Sequence, residues 1–333
     1  MAKINVGING FGRIGRLVTR SILAYHKDEI NIVGINDLTD ADMLAYLFKR
    51  DSVHGTYDGE VSASEGSITI DGMEIGISSE RDPSNLNWDE RGAEVVVEST
   101  GLFRTREDAS KHLDAGAEKV IISAPAKGGE VKTIVLGVND DEIDDDTQIY
   151  SNASCTTNCL APMVKVLDDT FGLEKAFMTT IHAYTSSQQI LDGPHKDPRR
   201  GRTAAHNIVP TTTGAAKAVG LVLPHLDGKL DGSAVRVPVP DGSLTDLTAV
   251  LDKEVSAEDV HKAFEEASNG SFKGILEYTE EDIVSTDILS NPHSCIYDHG
   301  FTKADGKLVK LLGWYDNEAG YSARTADLIS RIV

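Results

Sequence analysis

Two rhythms of apolar and polar residues divide this chain of 333 residues. In the first, apolar runs of strand length alternate with stretches whose apolar residues recur at helical spacing. Lys3-Ile-Asn-Val-Gly-Ile-Asn9 predicts a buried strand, and Leu17, Val18, Ile22 and Leu23 predict an amphipathic helix behind it. Asn31–Asn36 predicts a second strand and Asp40–Phe48 a second helix. Ile68–Ile75 has the pattern of a β-hairpin turning on Asp71-Gly72, an insertion at the edge of a sheet. Glu94–Glu98, Lys119–Ser123 and Thr133–Leu136 predict further strands, with a helix over about 105–115. Strands and helices alternating in this way build a parallel, doubly wound sheet. The second rhythm has longer strands, at about 174–184, 233–240, 245–252, 271–279 and 308–316, with helices at about 212–219 and 256–268. It predicts a mixed or mostly antiparallel sheet covered by helices on one side. The fold class expected is therefore α/β, with a doubly wound N-terminal domain over 1–153 and an α+β domain over 154–317. A last helix, about 318–333, is expected to rejoin the first domain.

Gly10-Phe-Gly-Arg-Ile-Gly15 stands between the first strand and the first helix. Glycines in that place permit a tight turn and let a pyrophosphate approach the helix N-terminus, as in Rossmann-type domains. Asp37 ends the second strand, roughly 20 residues past the last glycine, where an acid binds the ribose hydroxyls of NAD. The carboxyl ends of the strands bring Asn9, Asp37, Thr100, Gly101 and Ser123 to the same binding edge.

Ser151-Asn-Ala-Ser-Cys-Thr-Thr-Asn-Cys159 precedes an apolar run at helical spacing. Cys155 is thus expected in a first helical turn, where free N–H groups favour a thiolate and Ser154 and Thr156 add hydroxyls. Pro162 predicts a kink or a late helix start. The strand Ala176–Thr185 presents His182 and Thr185 at its end. A Cys with a His as base is the minimal kit for covalent catalysis, and a structural Cys with a core His is the alternative. Arg236 interrupts the apolar Ala234-Val-Arg-Val-Pro238. A guanidinium there calls for an anion, either a substrate phosphate held bidentately or an internal carboxylate. His195-Lys-Asp-Pro-Arg-Arg-Gly-Arg202 is a basic loop suited to an anion or to a subunit contact.

Charge narrows the partners. The chain carries 53 acidic against 32 basic residues, a formal net charge of -21. That argues against nucleic acid and anionic membranes, both of which need a cationic footprint. It suits either a salt-rich cytoplasm, where screening relieves self-repulsion, or an ordinary acidic enzyme. The run Asp140–Asp146, six acids in seven positions, reads as a solvated loop. Three cysteines point to a reducing compartment without a disulfide framework, and Cys155-x3-Cys159 lacks the further ligands of a metal site. A strand within three residues of the start leaves no room for a signal peptide, and no apolar run approaches the roughly 20 residues that span a bilayer. A cytoplasmic protein is expected.

The sequence resembles the phosphorylating glyceraldehyde-3-phosphate dehydrogenases from end to end. The anchors are Gly7–Arg16, Asn36-Asp-Leu38, Ser151–Cys159, His182-Ala-Tyr-Thr185, Pro210–Lys217 and Trp314–Tyr321. The resemblance implies that Cys155 attacks the aldehyde, that His182 first holds the thiolate and then acts as base, and that the thioester left by hydride transfer is released by phosphate. It implies an oxyanion site at the Cys155 N–H and His182, and anion sites drawn from Ser154, Thr156, Thr185, Arg200, Thr213, Gly214 and Arg236. For NAD it implicates Gly10, Gly12, Arg13, Ile14, Gly15, Asp37, Arg81, Thr100, Ser123 and Asn317, the last at the carboxamide. It also implies a homotetramer with region 183–208 at a subunit contact. Three departures stand out. Val239-Pro-Asp-Gly242 replaces the commoner Thr-Pro-Asn-Val. Pro198 and Gly201 replace Leu and Ala in the basic loop. Gly193 stands where NAD-preferring members often have Leu, leaving room for NADP, although the Asp37 carboxylate repels a 2′-phosphate and favours NAD. Erythrose-4-phosphate dehydrogenase is the nearest alternative activity, ahead of a non-catalytic NAD-binding protein.

Overall fold

The computed structural model describes residues 2–128 and 130–333, which divide into two compact units. The first comprises the chain up to Ile134 together with Asp141–Ala153 and Ser322–Val333. Its elements follow in order: β1 (Ile4–Asn9), α1 (Arg13–Tyr25), β2 (Ile30–Asn36), α2 (Ala41–Lys49), β3 (Val61–Ser64), β4 (Ser67–Ile70), β5 (Met73–Ser78), β6 (Val95–Glu98), α3 (Arg106–Asp114), β7 (Lys119–Ile122), β8 (Lys132–Thr133) and β9 (Ile149–Ser151). The nine strands form one sheet in the order β3-β4-β5-β2-β1-β6-β7-β9-β8, parallel except where β4 pairs with β3 and β5. Crossover helices cover such strands, so β1 and β6 end in fully buried Val, Ile and Asn or Glu residues. The β4–β5 hairpin turns on Asp71 (φ 48°) and Gly72 (φ 82°), the two positive-φ positions of a type I′ turn, and β3–β4 lies at the sheet edge.

The second unit comprises Val135–Asp140 and Ser154–Tyr321. It runs α4 (Cys155–Phe171), β10 (Leu173–Ala183), β11 (Val209–Thr212), α5 (Ala215–Val222), β12 (Leu230–Val237), β13 (Ser243–Leu251), α6 (Ala257–Asn269), β14 (Leu276–Thr279), β15 (Cys295–Asp305) and β16 (Leu308–Tyr315). Its seven strands pair in the order β11-β12-β10-β13-β16-β15-β14, with only β10/β12 and β14/β15 parallel. Helix α4 packs on β10, β13, β15 and β16 and touches α5 and α6, so the three helices share one face. The final helix, α7 (Ala319–Ile332), carries the chain from the end of the second unit into the first. Within the first unit its Asp327 accepts from His26 Nε2 at 2.7 Å and pairs with Arg324 at 2.5 Å.

Three local expectations fail. Thr133–Leu136 is not a strand beyond Thr133: the Asn139 side chain accepts from Val135 N at 2.9 Å and the Asp140 carboxylate from Gly137 N, drawing the apolar run into a buried turn. Of the kink or late start expected at Pro162 the late start fails: helix α4 starts at Cys155 and passes through Pro162, and its burial outweighs the backbone bond lost at the proline. Only Leu276–Thr279 of the strand expected at 271–279 forms, whereas β11 and the 11-residue β15 were not expected. Among the described residues no helix is long and apolar enough to cross a membrane.

Candidate active site

Cys155 opens α4 because Ser154 caps it: Ser154 Oγ accepts from Thr157 N at 3.0 Å, in extended backbone that cannot continue the helix backwards. His182 comes from the penultimate position of β10. Parallel pairing of β10 with β12 sets His182 directly beside Arg236, so both side chains leave the same face of the sheet. Cys155 Sγ lies 3.5 Å from His182 Nε2. On the other side of the ring, His182 Nδ1 is 2.8 Å from the Ala183 carbonyl, and Arg236 Nη1 approaches Nδ1 to 2.9 Å while donating to that carbonyl at 2.7 Å. Nε2 faces the thiol, as acceptor where Nδ1–H donates to Ala183 and as donor where Nδ1 accepts from Arg236.

Burial acts on both members of this pair. It pushes the Cys155 thiol up to about 11, against the pull of the Arg236 charge and of Thr156. It pushes His182 down to about 3, and Arg236 adds to that. Loss of hydration thus opposes the thiolate that the helix start, Arg236 and Thr156 favour, at a Cys155 side chain that stays partly open to solvent. Arg236 is itself lowered by burial. Among the described residues no carboxylate pairs with it, and its Nε is buried without a partner. Such a guanidinium is complementary to an anion from outside.

The remaining candidate phosphate residues lie in the same unit. Arg200 donates from Nε to Thr211 at 2.9 Å and from Nη2 to the Thr212 carbonyl at 3.3 Å, which ties the basic loop to β11. Thr213 accepts from Ala215 N at 3.2 Å, and Gly214 is the residue before α5, where an added Cβ would meet nothing within 4 Å. Thr185 Oγ1 is 2.9 Å from Ser187 Oγ. Thr156 Oγ1 shares the Tyr315 hydroxyl with Thr180, each at 2.8 Å, and the Tyr315 ring stands edge-on to His182. Asn317 is also here, its Oδ1 accepting from Ser243 Oγ at 2.5 Å. Tyr315, Thr180 and Ser243 were not singled out; a tyrosine inside the Trp314–Tyr321 motif was the available signal for the first.

The first unit holds the dinucleotide candidates. Gly12 precedes α1 with no side-chain cap, and the first turn, Arg13, Ile14 and Gly15, presents the helix N-terminus where a phosphate is favoured. Gly10 has φ 90°, and a Cβ at Gly15 would lie 2.1 Å from the Gly10 carbonyl, so both positions need glycine. A cavity of about 350 Å³ beside them is lined by Asn9, Gly10, Gly12, Asp37, Arg81 and Thr100, among others. Asp37 is fixed there by Phe11 N at 2.8 Å and Thr39 N at 3.0 Å. Arg13 pairs with Asp51 at 2.5 Å. Ser123 donates its N–H to the Glu98 carbonyl and does not line this cavity. The uncapped helix start and the glycine cradle fit a dinucleotide pyrophosphate.

Residues 4–106 match the family model for the glyceraldehyde 3-phosphate dehydrogenase NAD binding domain, and residues 154–317 match its C-terminal domain. The chain belongs to the glyceraldehyde 3-phosphate dehydrogenase family. It is 57% identical to the glyceraldehyde-3-phosphate dehydrogenase of Priestia megaterium over 331 residues, covering 99% of this chain and 98% of the relative. Identity is 56% over 331 residues with that of Geobacillus stearothermophilus, at the same coverage, and 56% over 328 residues with that of Streptomyces coelicolor, covering 98% and 97%. As a member of this family the chain is an NAD-dependent oxidoreductase.

Proposed function

We propose that this protein oxidises D-glyceraldehyde 3-phosphate to 1,3-bisphosphoglycerate with NAD and inorganic phosphate. The observation that carries the reading is the Cys155–His182 contact with Arg236 held beside it and unmatched by any carboxylate among the described residues. As Sγ attacks the aldehyde carbon, its proton passes to His182 Nε2 and on to the carbonyl oxygen, leaving a neutral hemithioacetal. The Cys155 N–H, free at the helix start, faces the oxyanion that forms on the way. His182 Nε2 then takes the hydroxyl proton while the hydride leaves; NAD would supply the acceptor, with Gly10, Gly12, Arg13, Ile14, Gly15, Asp37, Arg81 and Thr100 of the first unit to hold it and Ser123 and Asn317 assigned to it by the family resemblance alone. Phosphate attacks the resulting thioester, and Cys155 departs as thiolate and recovers its proton from His182. The substrate phosphate and the attacking phosphate are assigned to Ser154, Thr156, Thr185, Arg200, Thr213, Gly214 and Arg236. We read residues 1–153 with about 318–333 as the NAD domain and 154–317 as the catalytic domain. The working form is a cytoplasmic homotetramer joined in part through region 183–208, where Ile190, Leu191 and Ile208 are exposed.

The test is NADH formation with glyceraldehyde 3-phosphate, with and without phosphate, beside a Cys155→Ser variant. Phosphate-dependent turnover that vanishes in the variant supports the reading. Steady turnover without phosphate sinks the second anion site, and turnover by Cys155→Ser sinks the thioester. Light scattering on the eluted protein checks the tetramer.

A further inference from the structure

A buried chain of hydrogen bonds in the first unit plays no part in the chemistry above. Glu98 ends β6 with 1% exposure and His112 sits on α3 with none. The Trp88 indole, which can only donate, gives its N–H to His112 Nδ1 at 3.1 Å. That fixes His112 as the tautomer with its proton on Nε2, which donates to Glu98 Oε2 at 3.0 Å. The same oxygen accepts from Asn9 Nδ2 at 2.5 Å. Glu98 Oε1 accepts from Thr100 N at 2.8 Å and from the Thr100 hydroxyl. Asn9 Oδ1 in turn accepts from Asn36 Nδ2 at 2.7 Å, and Asn36 clasps the Glu80 backbone through both its N–H and its carbonyl.

Asn9, Asn36, Glu80 and Thr100 all line the 350 Å³ cavity. Their polar groups are thus bound to one another and to Glu98, and a single carboxylate fixes residues from three separate strand ends. A buried carboxylate persists only when such donors satisfy it, and here four converge on it.

We propose that Glu98 is the positioning residue of the dinucleotide pocket, setting its shape through Asn9 and Thr100, with His112 as its fixed Nε2–H donor. The inference rests on the NAD-dependent reading of the site. An isosteric amide exposes the role. In Glu98→Gln one oxygen becomes an NH2 group: toward Thr100 it faces two donors, and toward Asn9 it faces Asn9 and His112, also donors. Either Asn9 turns and loses Asn36, or His112 changes tautomer and loses Trp88. The first disturbance reaches the cavity wall at Asn9 and Asn36 directly, and the second reaches it through the weakened hold of His112 on Glu98.

The test compares wild type, Glu98→Gln, His112→Phe and His112→Gln for ADP-ribose binding by calorimetry, for NADH formation and for thermal midpoint. Glu98→Gln and His112→Phe are expected to weaken ADP-ribose binding and raise the KM for NAD about tenfold, with kcat and the KM for the aldehyde within about twofold. His112→Gln, whose amide can stand in for Nε2–H, is expected to recover most of the loss. Ring 15N shifts of His112 in the wild type are expected to show a protonated Nε2 and a bare Nδ1. A lowered thermal midpoint with unchanged ADP-ribose affinity, or a loss confined to kcat, overturns the proposal. If Glu98→Gln does not fold, the His112 pair decides it. Wild type that binds no ADP-ribose and reduces no NAD defeats the underlying reading instead, a result distinct from failure of the variants alone.

Discussion

At the scale of single residues, burial shifts both members of the couple at the centre of the site toward their neutral forms. His182 held down to about 3 binds its proton more weakly in the folded chain than in the unfolded one, whose ordinary value is 6.5. Between those values the unfolded state takes up more protons, so stability is lost as pH falls from about 6.5 toward about 3, at up to about 1.4 kcal/mol per pH unit. Cys155 behaves in the opposite sense. Its folded value of about 11 lies above the ordinary 9.0, so the native state keeps the proton longer and stability is lost as pH rises through that window. Urea midpoints measured against pH are therefore expected to fall on both sides for wild type. The acid limb should be shallower in His182→Gln and the alkaline limb shallower in Cys155→Ser. Limbs unchanged in both variants would show that neither group is held as described. Residue identities made this pair legible, since a Cys before a helical run and a His at a strand end are visible in one dimension. Its protonation was not legible, because that depends on how much water the fold removes and on Arg236 lying beside His182 in the strand register.

At the scale of elements, sequence patterns succeeded wherever local rules and packing agreed. The Asp71-Gly72 turn, the cap at Ser154 and the helix over 256–268, closed by reciprocal Ser256–Asp259 bonds, all carry their own signals. They failed where tertiary contacts overrode periodicity. β15 is interrupted in alternation by His299, Gly300 and Lys303 and shifts register against β16 between Asp298 and Lys303, so no period of two runs through it. The turn signal that closes this hairpin, Asp305-Gly306, was nevertheless present. The basic loop shows how a departure from family usage is accommodated. Gly193 N donates to the Gly201 carbonyl at 2.9 Å, and a Cβ at Gly201 would stand 2.7 Å from the Gly193 carbonyl. The two glycines therefore belong together. Gly201→Ala, which restores the commoner residue, is expected to push this backbone pair apart, lower stability by about 1 kcal/mol and raise the KM for phosphate through the neighbouring Arg200. An unchanged thermal midpoint with unchanged phosphate kinetics would show that the close approach is not a constraint.

At the scale of the whole molecule, the formal charge of -21 is the property least connected to the chemistry. The cations proposed to bind anions, Arg200 and Arg236, are anchored in the second unit, while the excess of acids is spread over surface stretches such as Asp140–Asp146. Self-repulsion of such a surface destabilises the compact state and is relieved as the Debye length contracts from about 10 Å at 0.1 M salt to about 3 Å at 1 M. The buried site should feel little of this, because pairs shielded from water are screened much less. The thermal midpoint is therefore expected to climb steadily as potassium chloride rises from about 0.1 to about 1 M, with chloride chosen over sulfate because sulfate stabilises folds by exclusion from any surface. Turnover per folded molecule should change far less than the midpoint does. A midpoint indifferent to potassium chloride would place the protein with ordinary acidic enzymes. A midpoint and a turnover that rise together would mean that the charge acts on the site itself, which the contacts around Cys155, His182 and Arg236 give no reason to expect.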